Sequence, residues 1–173
     1  MRLFIGVSFD DKTKELIYNQ ELILKKHLVS GHITDINNIH LTIIFIGETD
    51  NTKEIIDSIE KIDVSKFDIF LKGIKYFNRG NQRLYYLDVR KNQKLSFIYD
   101  VLFNSLKDIG FFIEDRTYKP HVTLGREVVL DEDVYLEPLN KIVRVNKISL
   151  MESKRINGKL EYVELYAKKL REN

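Results

Sequence analysis

The apolar residues of this chain follow two spacings, one typical of helices and one typical of strands. Helical spacing predicts three helices: one that begins after Asp10-Asp11 and ends at Ser30-Gly31, and two more at residues 50–62 and 94–109. Short apolar or alternating runs predict seven strands, at residues 2–9, 39–46, 67–77, 84–89, 120–125, 143–151 and 160–167. The mixture predicts an α+β fold.

Two turn sequences predict how neighbouring strands are joined. Asn157-Gly158 lies between the last two predicted strands and is a strong hairpin signal, because both residue types readily adopt positive φ. The stretch from Asn78 to Asn81 is also typical of a turn. The strands at 67–77 and 84–89 therefore form a hairpin-like connection between the two halves of the chain.

A short motif occurs twice, and its surroundings recur in the same register. His40-Leu41-Thr42-Ile43 returns in the second half as His121-Val122-Thr123-Leu124, and the Arg-Leu pairs at Arg2 and Arg83 precede their histidines by equal intervals. Self-similarity at one fixed offset is the trace of repeated architecture. We predict two pseudo-symmetric lobes, each an antiparallel-rich sheet with outer helices, that face a central cleft within a single bilobal domain covering 1–173.

A third tripeptide of the same kind, His32-Ile33-Thr34, has no counterpart at that offset, where position 113 is Ile. It lies in a polar stretch that is typical of a loop or a strand entrance. We therefore exclude His32 from the proposed pair.

Composition narrows the class of protein only modestly. The 173 residues are 43% hydrophobic and 31% charged, as in globular proteins, and the net charge of +2 permits a polyanionic partner without requiring one. There is no cysteine, which excludes disulfides, thiolate metal sites and cysteine nucleophiles. The opening apolar run is too short for a signal peptide or a membrane span. We expect a cytoplasmic monomer that does not bind membranes.

The repeated motif suits acid-base chemistry on a phosphate. Residues two apart on a strand share a face, so His40 and Thr42, like His121 and Thr123, point the same way. Histidine can be neutral or protonated near neutral pH, so one imidazole can activate water while the other protonates a leaving oxygen. The threonine hydroxyls can donate to nonbridging phosphate oxygens. Approach from opposite sides suits in-line displacement at phosphorus.

Two other interpretations compete with catalysis. A single His-x-Thr on a strand is more often a satisfied or surface histidine beside a strand-favouring threonine, but two in register favour function. Two histidines are also possible metal ligands. Neither has a His/Asp/Glu cluster at ligand spacing beside it, so we predict no metal and no other cofactor.

These motifs resemble the signature of the 2H phosphoesterase superfamily, which is named for its two His-x-Thr/Ser motifs. The closer resemblance is to its RNA 2',3'-cyclic phosphodiesterase branch, also called 2'-5' RNA ligase. The resemblance extends over nearly the whole chain and is carried by these segments: Met1 to Ile5, Ile39 to Thr42, Phe45 to Glu48, Arg116 to Arg126, Glu152-Ser153, Asn157-Gly158 and Tyr162. The chain departs from the branch in its central connection, residues 76–80, where a proline is expected.

The resemblance implies metal-independent hydrolysis of RNA or nucleotide 2',3'-cyclic phosphate ends to 2'-phosphomonoesters, with a reversible 2'-5' joining activity in some members. It also implies that Phe45 and Arg126, which follow their histidines at the same interval, sandwich the base next to the phosphate. Strict alternation puts both residues on the face of the strand opposite to the histidine, so a bend or bulge at Ile44 or Gly125 is required. Core packing of Phe45 is the alternative.

Several assignments stay open at this point. We assign water activation to His121 and protonation of the leaving group to His40, although a near-symmetric site works in either direction. A noncatalytic RNA-end binding protein is an alternative, as is a related phosphodiesterase acting on cyclic ADP-ribose phosphate or 2'-5' oligonucleotides. Further basic residues are candidates for phosphate contacts or ordinary surface: Lys75, Arg79, Arg83 and Lys119.

Overall fold

The structure is a computed structural model that describes all residues, 1–173. It contains three α-helices, which are α1 (Asp11–Lys26), α2 (Thr52–Glu60) and α3 (Gln93–Asp108). It contains nine strands, which are β1 (Arg2–Ser8), β2 (Leu28–Ile33), β3 (His40–Glu48), β4 (Phe67–Arg79), β5 (Gln82–Val89), β6 (His121–Leu130), β7 (Lys141–Val145), β8 (Lys147–Ile156) and β9 (Lys159–Lys169). A 3-10 turn, Ile36–Asn38, leads into β3.

The strands form two antiparallel sheets, one for each motif. The first sheet has the order β3-β1-β8-β9 and carries His40, and the second has the order β2-β6-β5-β4-β7 and carries His121. In each sheet the motif strand pairs with the strand that opens its half of the chain, β1 or β5. The predicted α+β class with two similar antiparallel sheets is confirmed.

The lobes differ from the two sequence halves, because the halves exchange strands. From the first half, β2 and β4 join the second sheet, whereas β8 and β9 from the second half join the first sheet. The predicted hairpin at residues 67–89 is therefore a hairpin within the second sheet. The predicted strand at 143–151 is wrong as one element, since the chain breaks at Asn146 and sends β7 and β8 to different sheets.

The first helix ends earlier than its pattern predicted. Its last residue is Lys26, and residues 28–33 form the edge strand β2, which pairs with β6. The polar stretch that contains His32 is therefore a strand rather than a loop. Its polar composition fits an edge strand with half-exposed faces, which leaves little alternation to detect in the sequence.

The helices begin at side-chain caps and bury one face each. Asp10 accepts a hydrogen bond from the backbone N–H of Thr13 at the start of α1, and Asn92 does the same for Leu95 at the start of α3. Ile17 of α1 and Ile98 of α3, which occupy equivalent positions of the repeat, are both fully buried. None of the three helices combines the length and apolar character needed to span a bilayer.

The hairpin between β8 and β9 has the turn that its sequence predicts. Asn157 and Gly158 both have positive φ, 53° and 80°, as a type I' turn requires. This turn matters for the site because it returns β9 along β8 and brings Tyr162 opposite Ser153 on the first sheet.

Candidate active site

Both motifs lie at the start of their strands, in the same register against their neighbours. His40 is the first residue of β3 and lies opposite Ser8, and His121 is the first residue of β6 and lies opposite Asp88. Leu41 and Val122, the intervening residues, have no exposed surface. The alternation predicted for each His-x-Thr motif is thus present, with the histidine and threonine side chains on one face and the core on the other.

A bulge in each motif strand changes which residues share the histidine's face. Opposite β1, β3 has one extra residue at Ile43, and opposite β5, β6 has one extra residue at Leu124, the equivalent position of the repeat. Two consecutive buried residues follow each threonine, so the residue after them returns to the histidine's face. The predicted bulges are present, one residue before the positions named from the sequence.

The consequence is that Phe45 and Arg126 lie on the same side of their strands as the histidines. Phe45 is 45% exposed, so the alternative that it belongs to the core is wrong. The guanidinium carbon of Arg2 lies 4.7 Å from the centre of the Phe45 ring. Arg126 is exposed and lies opposite His32 of the edge strand β2. His32 itself is exposed and has no place in the repeated pair.

Hydrogen bonds define one tautomer of His40. Its Nδ1 atom is 2.7 Å from the carbonyl oxygen of Asn38, which can only accept, so Nδ1 carries the proton and donates. Its Nε2 atom is 2.7 Å from Oγ1 of Thr42, and in the neutral ring it accepts the hydroxyl proton. The unprotonated nitrogen of His40 therefore faces the threonine of its own motif.

The ring of His40 is enclosed by two aromatic side chains. Its centre lies 4.7 Å from that of Phe4 and 4.8 Å from that of Tyr162, which meets it edge to face. Burial lowers the pKa of His40, the hydrogen bond to Asn38 opposes this, and the positive charges of Arg126 and Lys14 lower the pKa further. His40 is therefore biased towards its neutral form.

His121 repeats the tautomer of His40 in a more open setting. Its Nδ1 atom donates to the carbonyl oxygen of Lys119, two residues earlier, at 2.8 Å. Its ring is exposed and meets Tyr86 edge to face, with 5.9 Å between the ring centres. The facing carboxylate of Asp88 is bound by Lys75, at 3.0 Å from Nζ to Oδ2, and Lys72 lies 3.6 Å from the same oxygen. Nε2 of His121 has no hydrogen-bond partner within the protein.

Contacts between the sheets hold the two motifs beside each other. Strands β3 and β6 pack together, and the hydroxyl of Tyr118, three residues before His121, donates to the carbonyl oxygen of Thr42 at 3.2 Å. Tyr118 stacks on Tyr99 with ring centres 4.8 Å apart, and burial raises the pKa of its hydroxyl, which stays protonated. The segment before one motif thus contacts the backbone of the other.

The sequence model of the 2'-5' RNA ligase superfamily matches residues 37–156, which contain both motifs. The chain belongs to this superfamily.

Individual relatives agree with this membership. The chain is 31% identical to an RNA 2',3'-cyclic phosphodiesterase of Thermotoga maritima, over 73% of this chain and 70% of that one. It is 29% identical to one of Archaeoglobus fulgidus, over 73% and 72% of the two chains. The solved structure of E. coli LigT complexed with 3'-AMP superposes with a TM-score of 0.82 at 22% identity, over 98% of this chain and 97% of that one, and so shares the fold.

Several residues that contact the two motif histidines were given no role from the sequence. Phe4 and Tyr162 enclose His40, and Tyr86 contacts His121. Tyr162 entered only as part of the resemblance, because nothing in β9 alone indicates that it reaches a histidine in the first half of the chain. The alternation of β5 does place Tyr86 and Asp88 on one face, which is a usable signal once β5 is known to pair with β6.

A group of potential metal ligands lies away from the repeated histidines. His27, Asp131 and Glu132 have ligand atoms within 4.8 Å of one another. They lie beyond the far end of β6, roughly 30 Å from its first residue at the rise of an extended strand. His27 Nδ1 is 2.9 Å from the carboxylate of Asp131, so a hydrogen bond accounts for this arrangement.

Proposed function

We propose that the protein hydrolyses the 2',3'-cyclic phosphate of RNA ends or nucleotides to a 2'-phosphomonoester, with the paired His-x-Thr motifs as its catalytic groups. The observation that carries the proposal is the matched pair of histidines. Each donates Nδ1–H to the carbonyl oxygen two residues earlier, which leaves Nε2 as the reactive nitrogen in both. The two relatives named above are RNA 2',3'-cyclic phosphodiesterases.

The roles divide between an exposed and an enclosed imidazole. His121 is open to solvent and takes a proton from the attacking water. As the new P–O bond forms, the P–O3' bond breaks, and the imidazolium form of His40 gives its Nε2 proton to the departing 3'-oxygen. A lowered pKa makes the imidazolium of His40 a stronger acid, although fewer molecules carry that proton at neutral pH. The phosphate stays on the 2'-oxygen.

The threonines stabilise the charge that builds on the nonbridging oxygens. Thr42 and Thr123 lie one strand repeat from their histidines on the same face, and each hydroxyl has one proton to donate. The hydroxyl of Thr42 donates to His40 in the free protein and changes partner when His40 becomes protonated. Proton uptake by His40 thus releases a donor for the phosphate.

Phe45 and Arg126 hold the base next to the cyclic phosphate. Their matched positions after the bulges, on the side of the histidines, support this role, since one side chain is aromatic and the other is a planar cation. Both groups stack on a base without a requirement for its identity. This supports RNA ends and nucleotides of varied sequence as substrates. A 5'-hydroxyl that replaces the attacking water gives a 2'-5' linkage by the same proton transfers.

The test is hydrolysis of a 2',3'-cyclic mononucleotide with chelator present, with the product phosphate located on the 2'- or 3'-oxygen. His40→Ala and His121→Ala are expected to lower kcat by at least about 100-fold, since acid or base catalysis contributes that much. His32→Ala is the matched control, because His32 is exposed and outside the pair. Substantial turnover by both single variants contradicts the assignment. Tight binding of a 2'-phosphate end by the unaltered protein without turnover favours the noncatalytic alternative.

A further inference from the structure

The hairpin of β4 and β5 extends beyond β7, its neighbour on the β4 side, while β5 stays paired with β6. Pairing between β4 and β7 ends at Leu71, opposite Lys141, while β4 and β5 continue to the turn at Gly80. We call residues 74–87 the β4–β5 arm. On its free side, from Ile74 to Arg79, β4 has no neighbouring strand.

One face of this arm continues the face that carries His121. Tyr86 lies opposite Thr123 and meets the His121 ring edge to face. Phe77 stacks on Tyr86, with ring centres 4.8 Å apart and planes inclined by 18°. A row of aromatic rings therefore leads from the candidate catalytic histidine out along the arm to Phe77, which is 55% exposed.

Basic residues flank the exposed ring on the same face. Lys75, Phe77 and Arg79 occupy alternate positions of β4, so their side chains lie on one side. All three are exposed, and Arg79 has no carboxylate within salt-bridge distance. Lys75 binds Asp88, whose charge Lys72 also offsets. The outer part of the face thus combines a free aromatic surface with uncompensated positive charge.

On the opposite face of the arm, the cation and the aromatic rings contact one another. The guanidinium of Arg83 lies 4.1 Å from the ring centre of Tyr76, donates to the hydroxyl of Tyr85 at 3.0 Å, and is 3.0 Å from the carboxylate of Asp133. The exposed ring of Tyr76 thus already has a partner within the protein, the guanidinium of Arg83. No corresponding network covers Phe77, whose stacking partner lies only on the side of Tyr86.

We propose that the β4–β5 arm binds the nucleotide that precedes the cyclic phosphate end of a single-stranded RNA. Its base stacks on Phe77 and its phosphate lies against Arg79. A single-stranded nucleic acid fits this face because alternating cations and an aromatic ring match its phosphates and bases, and because the row of rings is continuous with the site that holds the RNA end. The inference rests on the proposed function and adds an oligonucleotide preference to it.

The test compares two substrates in each variant: a 2',3'-cyclic mononucleotide and a tetranucleotide that ends in the same cyclic phosphate. Phe77→Ala is expected to lower kcat/KM for the tetranucleotide about 10-fold, the effect of losing one stacked base. The same substitution leaves kcat/KM for the mononucleotide unchanged. Phe77→Tyr restores the tetranucleotide rate. Phe97→Ala, which removes another exposed phenylalanine on α3, is the matched control and changes neither rate.

Arg79→Gln tests the phosphate contact separately. It is expected to weaken tetranucleotide binding and to reduce the dependence of that binding on salt concentration, because one fewer cation is engaged. The binding measurement uses fluorescence anisotropy with a labelled tetranucleotide carrying a 2'-phosphate, so it needs no turnover. The mononucleotide rate of this variant stays at the level of the unaltered protein.

Several results overturn the inference. Equal losses on both substrates in Phe77→Ala mean that Phe77 only supports Tyr86 and His121. Equal kcat/KM of the unaltered protein for the two substrates, or unchanged tetranucleotide binding in Phe77→Ala, also overturns it. Failure of the proposed function is recognised separately, as no hydrolysis of either substrate. The anisotropy measurement still decides whether the arm binds RNA in that case.

Discussion

The Nε2 atom of His40 lies 2.7 Å from Oγ1 of Thr42, so in the free protein the two groups of one motif bind each other. The structure gives His121 no such bond to Thr123; its one hydrogen bond is that of Nδ1 to the carbonyl of Lys119. The motifs are therefore alike in sequence and in backbone geometry but differ in their resting hydrogen bonds.

The first prediction concerns the hydroxyl of Thr42. Thr42→Val removes the donor but keeps the β-branched shape, and we expect kcat to fall about 100-fold, as for the loss of one donor to developing negative charge. Thr42→Ser retains the hydroxyl and most of the activity. Steady-state kinetics on a cyclic mononucleotide measure both. Similar values of kcat for Thr42→Val and Thr42→Ser contradict a role for the hydroxyl.

The second prediction concerns the pH dependence set by His40. Because burial lowers its pKa, the limb of the kcat/KM profile that reports His40 lies below the ordinary value of about 6.5. Tyr162→Ala opens the ring of His40 to water, so its pKa rises and that limb moves to higher pH. Tyr162→Phe keeps the edge-to-face contact and leaves the limb in place. An NMR titration of His40 in the same variants measures its pKa independently of activity. An unchanged pKa in Tyr162→Ala rules out burial by Tyr162 as the cause of the lowered value.

The third prediction concerns the contact between the motifs. Tyr118→Phe removes the hydroxyl that binds the carbonyl of Thr42, and we expect the free energy of unfolding to fall by about 1 kcal/mol. The rate kcat falls as well, because the spacing of the two histidines is less restrained, whereas KM changes little. Tyr99→Phe is the control, since its ring stacks on Tyr118 but its hydroxyl has no hydrogen bond in the structure. Equal effects of the two variants refute the role of the Tyr118 hydroxyl.

The fourth prediction concerns Glu21, a carboxyl group of α1 that is fully buried and has no hydrogen-bond partner. Burial raises its pKa to about 9. A folded-state pKa above the unfolded one means that the folded protein binds the extra proton, so stability falls as pH rises from about 4.5 to about 9. At pH 7 the cost is on the order of 3 kcal/mol, because each pH unit above the ordinary pKa adds about 1.4 kcal/mol.

Glu21→Leu removes this cost, and Leu102 occupies the equivalent position of α3. We expect a gain in the free energy of unfolding that is small at pH 5, a few kcal/mol at pH 7 and larger at pH 8.5. Urea denaturation at the three pH values measures it. A gain that is the same at all three shows that Glu21 does not titrate with a raised pKa.

The fifth prediction concerns the base clamp. Phe45→Ala is expected to raise KM for a cyclic mononucleotide about 10-fold with kcat nearly unchanged, because stacking holds substrate and transition state alike. Phe45→Tyr keeps the aromatic face and the original KM. A loss confined to kcat indicates instead that Phe45 positions the reacting groups.

The sequence by itself determined the features that depend on local periodicity. Because side chains alternate along a strand, His-x-Thr puts its two functional groups on one face, and the recurrence of the motif in the second half indicates two equivalent strands. The need for a bulge followed from alternation together with the family resemblance, which implies that Phe45 and Arg126 share the face of their histidines. The Asn157-Gly158 turn is local for the same reason.

Only the tertiary structure decided what depends on partners distant in sequence. The exchange of strands between the halves, the break at Asn146 and the edge strand β2 all result from which strand pairs with which, and pairing is a long-range choice. The same holds for the unequal settings of the two histidines. His40 is enclosed because β1 and β9 bring Phe4 and Tyr162 to it, and no pattern within β3 records that packing.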